Sequence, residues 1–225
     1  MIVTARNEAD HVGATLAALA LAFPGAPVLL ADDGSTDATP EIARAAGARV
    51  VRSQRARGKG AAATEAARLA LREVRVAGEA TRKPVFVLCD GDLADSAAAL
   101  GPLPDLVERE AADLAVGAFA VRVGGGVGLA VAFARWAIRR RCGFRATAPI
   151  SGQRALHAGV LEDVLPFASG FGLEVGMTID AVRAGHRVVE IELDLAHRVT
   201  GRTLGGFAHR ARQLADFVRA YLARR

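Results

Sequence analysis

Val85-Phe86-Val87-Leu88-Cys89-Asp90-Gly91-Asp92 is the stretch on which the fold turns. Five apolar residues in a row read as a buried strand, and the strand ends on two carboxylates separated by one glycine. In an open α/β sheet, ligands bind beyond the carboxyl ends of the strands. Two acids there, with a glycine letting the backbone turn, suit a hard divalent cation carrying phosphate oxygens. A lone Asp-x-Asp is more often a helix cap or a solvated turn, so the flanking sequence has to decide.

Upstream, strands and helices alternate. Residues 2–4 read as a strand. Residues 7–22 read as a helix, with Val12, Leu16 and Leu19 at helical spacing, broken by Pro24-Gly25. Residues 28–31 give a second strand. A turn over Asp32-Asp33-Gly34-Ser35-Thr36-Asp37 leads into a helix that ends at Gly47, and residues 49–51 give a third strand. Gly58-Lys59-Gly60 opens an alanine-rich helix to Ala77. This alternation predicts parallel βαβ units covered by helices. Downstream the pattern is less regular. The readings there are a strand over 113–121, a glycine loop at Gly124-Gly125-Gly126, a basic helix over 129–141, extended chain over 149–156, a helix over 173–184 and a strand over 187–193. A closing amphipathic helix begins at Gly201, with Phe207, Ala211, Leu214, Val218 and Leu222 on one face. That face is expected to pack on the domain or on a second subunit, which makes a homodimer one expectation.

A chain of 225 residues that is 52% hydrophobic has a sizeable core available. No apolar run is long enough to span a bilayer. Met1-Ile2-Val3 already reads as a strand with a clipped start, and no room for a signal peptide is expected. Cys89 and Cys142 form neither a disulfide framework nor a zinc pattern and fit a reducing, cytoplasmic compartment, with Cys89 as a core residue. The net charge of +5 is compatible with anionic substrates, a membrane surface or nucleic acid. Nucleic acid is disfavoured because the basic residues lack interleaved aromatics. Gly124-Gly125-Gly126-Val127-Gly128 comes too late in the chain for a dinucleotide fingerprint.

Three further loops follow the first three strands. Thr4-Ala5-Arg6-Asn7-Glu8 offers backbone N–H groups and a polar rim to a nucleotide, or a plain helix start with Asn7 as N-cap. Asp32 and Asp33 stand side by side, which is more than a cap needs. A carboxylate at that strand end can accept from the N3–H of a uracil or from ribose hydroxyls. Arg55-Ala56-Arg57-Gly58-Lys59-Gly60 puts a glycine-flanked lysine at a helix N-terminus, where it meets a phosphate or nucleobase, or simply water.

The order of these pieces resembles the nucleotide-sugar half of a family 2 type glycosyltransferase with a GT-A fold. The resemblance covers residues 1–96, and implies an α/β fold with a mostly parallel central sheet flanked by helices. It implies that Ala5, Glu8 and Asp33 line a uridine site, and that Lys59 sits near the base or phosphates. Asp90 and Gly91 would lie against the sugar or ribose, and Asp92 would bind the Mg²⁺ or Mn²⁺ that holds the diphosphate. Ser151-Gly152-Gln153-Arg154-Ala155-Leu156, Pro166-Phe167, the run from Gly170 to Asp180 and His197-Arg198 form a second ordered series. This series is similar to glucosyl-3-phosphoglycerate synthases and their relatives. By that likeness Glu174 faces the acceptor as a catalytic residue together with Asp90, and His197 completes the metal site. A neutral imidazole in a polar loop is itself a good ligand for Mn²⁺. Arg145, Ser151 and Gly152 are the acceptor-side candidates.

The chain departs from that group. The loop at Gly124 to Gly128 lacks the Gly-Arg-Val-Thr type sequence that grips phosphoglycerate, so the acceptor stays open. Polyprenyl-phosphate sugar transferases often carry Gln two residues after the second metal Asp, where this chain has Ala94. Arg135, Arg139, Arg140, Arg141 and Arg145 cluster around Trp136 and Phe144, and suit a phosphorylated acceptor, an anionic lipid surface or plain solvent.

The expectation is a single domain over residues 1–225, divided into a nucleotide-sugar half (1–96), an acceptor-side half (97–200) and a C-terminal helix (201–225). It transfers a hexose, glucose first, from a UDP-sugar to a small phosphorylated or lipid-phosphate acceptor. Its rivals are a polyprenyl-phosphate sugar transferase in peripheral contact with a membrane and a non-catalytic sugar-nucleotide-binding protein. A nucleotidyltransferase is disfavoured because no Gly-x-Gly-Thr-Arg-like loop follows the first strand. Retention and inversion at the sugar both stay open.

Overall fold

A computed structural model describes residues 1–78, 84–120, 128–195 and 204–224, with side chains of the last helix described from residue 212. The chain begins with β1 (Ile2–Ala5), α1 (Val12–Ala22), β2 (Leu29–Asp32), α2 (Thr39–Ala45), β3 (Arg49–Arg52), α3 (Lys59–Ala77) and β4 (Val85–Asp90). A 3₁₀ segment (Ala94–Leu100), α4 (Pro102–Glu108), β5 (Leu114–Phe119) and α5 (Leu129–Cys142) follow. Then come β6 (Arg154–His157), α6 (Ala158–Asp163), a 3₁₀ turn (Gly170–Gly172), α7 (Leu173–Arg183), β7 (Val188–Leu193) and α8 (Leu204–Ala223).

The strands form one sheet in the order β3-β2-β1-β4-β6-β5-β7. All pairings are parallel except those of β6, which runs antiparallel to both β4 and β5. This is the expected mostly parallel α/β sheet. Alternation along the strands sends Val3, Leu30 and Cys89 into a core against α1, the 3₁₀ segment and α4. It sends Ile2, Leu29 and Leu88 to the opposite face, against Ala63 and Ala67 of α3 and Met177 of α7. Both faces are covered, which is why the strands read as unbroken apolar runs. Cys89 is 1% exposed, and burial pushes its thiol up to about 12, as a core residue requires. A third cluster of Ala134, Ile138, Val175, Ile179 and Phe217 ties α5, α7 and α8 together.

Register places the site. Ala5 pairs with Asp32 across β1 and β2, and Thr4 pairs with Asp90 across β1 and β4. Three strand ends therefore deliver their loops to one edge of the sheet. The antiparallel pairing of Leu88 with Arg154 brings the residues just before β6 back over Asp90.

The structure corrects four local expectations. Helix α1 starts at Val12, not residue 7. Asn7 has a positive φ of 56° and caps nothing; its amide N–H donates to Ser35 Oγ at 3.0 Å and its Oδ1 accepts from Thr36 N at 2.8 Å. Residues 149–153 are not extended strand, because the Ser151 N–H turns back to Ala148 O at 3.2 Å and its hydroxyl donates to Gly117 O at 2.5 Å. Strand β5 ends at Phe119 rather than reaching residue 121. Helix α8 buries Asp216, Phe217 and Ala220, while Leu222 of the expected inner face is 45% exposed. Polar anchors set that rotation: Asp216 Oδ2 accepts from Phe171 N at 3.1 Å, and Arg224 forks onto Asp180 at 2.5 to 2.8 Å. Residues 124–127, His197 and Arg198 lie outside the described residues.

Candidate active site

The strand ends open into a cavity of about 1740 Å³. Ala5, Glu8, Asp33, Lys59, Asp90, Gly91, Asp92, Ser151, Gly152 and Glu174 all line it. The structure thus brings together the sequence candidates on β1, β2 and β4 with those ahead of β6 and on α7. Arg145 is exposed and lies off the lining, where Arg135 of α5 stands instead.

The two adjacent acids at the end of β2 divide their work. Asp32 is fully buried; its Oδ1 accepts from the Ser35 N–H at 2.9 Å and the Ser35 hydroxyl at 2.5 Å, and Arg52 sits 3.2 Å from Oδ2. It builds the turn. Asp33 faces the cavity and accepts from the N–H groups of Arg57 and Gly58 at 2.7 and 2.9 Å, which binds the second strand loop to the Gly-Lys-Gly loop. The first loop is clasped to the same platform, with the Glu8 N–H donating to Thr39 Oγ1 at 2.8 Å and the Ala9 N–H to Asp37 Oδ2 at 3.2 Å.

The glycines around Lys59 have a packing reason. A Cβ at Gly60 would stand 1.8 Å from the carbonyl oxygen of Ala168. The N-terminus of α3 therefore packs backbone to backbone on the chain just ahead of α7. That contact carries Lys59 to Glu174. The Lys59 ammonium lies 2.5 Å from Asp90 Oδ1 and 2.5 Å from Glu174 Oε1, bridging the end of β4 to the start of α7. Burial alone would lower the Lys59 ammonium, but Asp90 and Glu174 outweigh it and hold it above the usual lysine value. Burial likewise works against the Asp90 carboxylate, and Lys59, Gln153 and Thr4 together hold it below the usual carboxylate range. A Cβ at Gly152 would lie 2.6 Å from Asp90 Oδ2 and 2.8 Å from Lys59 Nζ, so the bare backbone there is what admits the pair.

Sequence reasoning missed three residues that shape this centre. The Gln153 amide donates to Asp90 Oδ2 at 3.2 Å, and its oxygen accepts from the Asp90 N–H at 3.3 Å. Only the register of β6 against β4 reveals that pairing. Thr15 of α1 donates to Gly91 O at 2.9 Å and accepts from Ala94 N at 2.8 Å, which pins the Asp-Gly-Asp turn from below. Arg154, fully buried, donates to Ser151 O at 2.9 Å and to Thr178 Oγ1 at 3.0 Å, and Thr178 in turn donates to Glu174 O at 3.0 Å. Burial pulls the Arg154 guanidinium down to about 10 against the carboxylates of Glu174, Glu190 and Asp90, so it stays cationic at neutral pH. The far wall of the cavity is basic, with Arg135 from α5 and Arg212 and Arg219 from α8.

Among the described residues, no three His, Cys, Asp or Glu side chains are grouped to hold a metal ion by themselves. The oxygens of Asp90 are engaged by Lys59, Gln153 and Thr4. Asp92, beyond Gly91 on the cavity wall, presents a hard oxygen donor.

A sequence model described as glycosyl transferase family 2 matches residues 1–151. Among solved structures, glucosyl-3-phosphoglycerate synthase from Mycobacterium tuberculosis in complex with phosphoglyceric acid is similar, with a TM-score of 0.73 and 27% identity over 99% of this chain and 78% of that one. Its complex with Mn²⁺, UDP-glucose and phosphoglyceric acid gives 0.70 and 26% over 98% and 78%. Its complex with Mg²⁺ and UDP gives 0.71 and 28% over 99% and 77%. No curated protein is a significant match to the chain.

Proposed function

The chain belongs to glycosyl transferase family 2 and has the GT-A fold, and we propose that it transfers a hexose, glucose first, from a UDP-sugar to a phosphorylated acceptor with Mg²⁺ or Mn²⁺. The observation that carries this reading is the Lys59 bridge between Asp90 and Glu174, placed beside Asp92 where three strand ends meet. The similar synthase supports the choice of ligands, since its structures hold Mn²⁺, UDP-glucose and phosphoglyceric acid.

Each residue has a role in this reading. The platform of Ala5, Glu8 and Asp33 receives the uridine. Asp92 and His197 would hold the cation, a hard divalent ion that favours oxygen ligands. The ion, when bound, supplies positive charge where the departing diphosphate gathers negative charge. Asp90, held rigid by Gln153 and Thr4, orients the sugar or ribose. Glu174, 3% exposed, stabilises positive charge developing on the sugar. Gly152 keeps the floor open beside them, and the Arg135, Arg212 and Arg219 wall receives an anionic acceptor.

Calorimetric titration with UDP, GDP and UDP-glucose, each with Mn²⁺ and with EDTA, tests the donor half. Binding is expected for the uridine ligands alone and only with metal. Asp92→Ala is expected to abolish the metal-dependent heat while the protein still unfolds cooperatively. Equal binding in EDTA, or an unaltered titration for the variant, removes the metal from the reading.

A further inference from the structure

We propose that the outer face formed by α5 and α8 docks on an anionic lipid bilayer. The inner side of these helices is accounted for by the cluster of Ala134, Ile138, Val175, Ile179 and Phe217. A second apolar surface remains outside it. Tyr221 of α8 packs against Trp136 and Phe133 of α5, with ring centroids 5.0 and 6.2 Å apart. Trp136 is nonetheless 50% exposed, Leu129 68% and Leu222 45%. Leu214, Val218 and Leu222, four residues apart, continue this surface along α8. Leu214 and Val218 are half-buried and Leu222 is exposed, and the anchoring of Asp216 and Arg224 sets Phe217 and Ala220, rather than this stripe, against the domain.

Charge selects the occupant. Helix α5 carries Arg135, Arg139, Arg140 and Arg141 and no acidic residue. Arg139 and Arg140 are exposed one turn beyond Trp136. The sole acid of α8 is Asp216, which is buried and paired with Arg219 at 2.7 Å. Asp180, on the neighbouring α7, is held by Arg224. Two copies of this face brought together about a twofold axis would oppose arginine to arginine. An anionic bilayer supplies the missing negative charge, and Trp and Tyr rings favour the level of the lipid headgroups. No helix among the described residues is long and apolar enough to cross a membrane, so the contact is with the surface. Val131 and Arg135 of the same helix line the active-site cavity, so docking would bring the cavity rim to the headgroups.

Trp136 is the only tryptophan of the chain, so its fluorescence reports from this face alone. The full chain is titrated with vesicles of phosphatidylcholine, and of phosphatidylcholine mixed with phosphatidylglycerol, each with and without brominated acyl chains. Anionic vesicles are expected to shift the emission to the blue, and brominated chains to quench it, while neutral vesicles do neither. Arg139→Glu/Arg140→Glu is expected to weaken binding about tenfold or more, and Leu222→Ser to reduce quenching by the brominated chains. Sedimentation with anionic vesicles without quenching would mean that the chain adsorbs by another face, and overturns the proposal. So does the absence of any binding. A blue shift that grows with protein concentration in lipid-free buffer, with a doubling of mass in light scattering, overturns it in favour of a second copy of the chain.

Discussion

Gly60→Ala is expected to lose about 1 to 3 kcal/mol of stability, the range for overpacking a tight contact. The added methyl would sit 1.8 Å from Ala168 O and 2.9 Å from Ala168 C. These are backbone atoms, so no side-chain rotation relieves the overlap, and the N-terminus of α3 must separate from the chain ahead of α7. Working against this loss, alanine is a better helix former than glycine by roughly 1 kcal/mol, so the net figure already includes an opposing gain. Gly159→Ala in α6 is the control, because a Cβ there meets nothing within 4 Å. That variant should be neutral or slightly stabilising. Urea unfolding of the two variants and the parent decides the matter, and equal midpoints for Gly60→Ala and the parent would show that the backbone contact is not as close as described. The same separation would move Lys59 away from Glu174. Any surviving folded protein should therefore lose most of its transferase turnover, since misplacement of about 1 Å in such a centre costs on the order of 100-fold.

Lys59→Met carries the second large effect. Glu174 and Asp90 share one ammonium at 2.5 Å each, and the Glu174 side chain is only 5% exposed. Removing the cation leaves two carboxylates facing each other in a partly dry site. Breaking a buried pair from one side costs about 3 kcal/mol or more, because the remaining charge loses its compensation. The double variant Lys59→Met/Glu174→Gln should recover much of the loss, since it removes the inner uncompensated charge as well. Chemical denaturation of parent, single and double variants reads this directly. A single variant as stable as the parent, or a double variant no better than the single, would mean that the bridge contributes little. Arg154 bears on the outcome, because it remains behind Glu174 as a second cation and limits the loss to less than that of an isolated buried acid.

Much of the donor side was legible in the sequence because parallel strands place their loops at one sheet edge. Once 85–90 is read as a strand, Asp90 and Asp92 must stand beside the loops after β1 and β2. The choice of Asp33 over Asp32 as the cavity-facing acid rested on the family resemblance, because β2 is buried on both faces and its pattern does not separate the two acids. What stayed hidden depends on contacts across distant parts of the chain. Gln153 reads as an ordinary polar residue until the antiparallel register of β6 sets it against Asp90. The sequence of Gly58-Lys59-Gly60 does not show that Gly60 serves a backbone contact with Ala168. Which side of α8 turns to the domain was hidden for a related reason. Its apolar stripe is a true stripe, but polar anchors at Asp216 and Arg224 outrank it in deciding which side faces inward. Arg145 was singled out for its place in a basic cluster, and cluster membership says nothing about which arginine turns toward a cavity.

The reversed strand β6 has a consequence for autonomy. It supplies the partner of β4 along Val85, Phe86, Val87 and Leu88, and it is also the partner that joins β5 and β7 to the sheet. The segment matched by the family model stops at residue 151, three positions short of that strand. A fragment cut there would keep the first five strands and the Asp-Gly-Asp turn, yet it would detach β5 and leave β4 as a bare apolar edge. An unprotected edge of that kind is a template for other chains. The smallest stretch able to stand by itself is therefore longer than the stretch that betrays its ancestry, and the extra length is what keeps the half richest in motifs from aggregating.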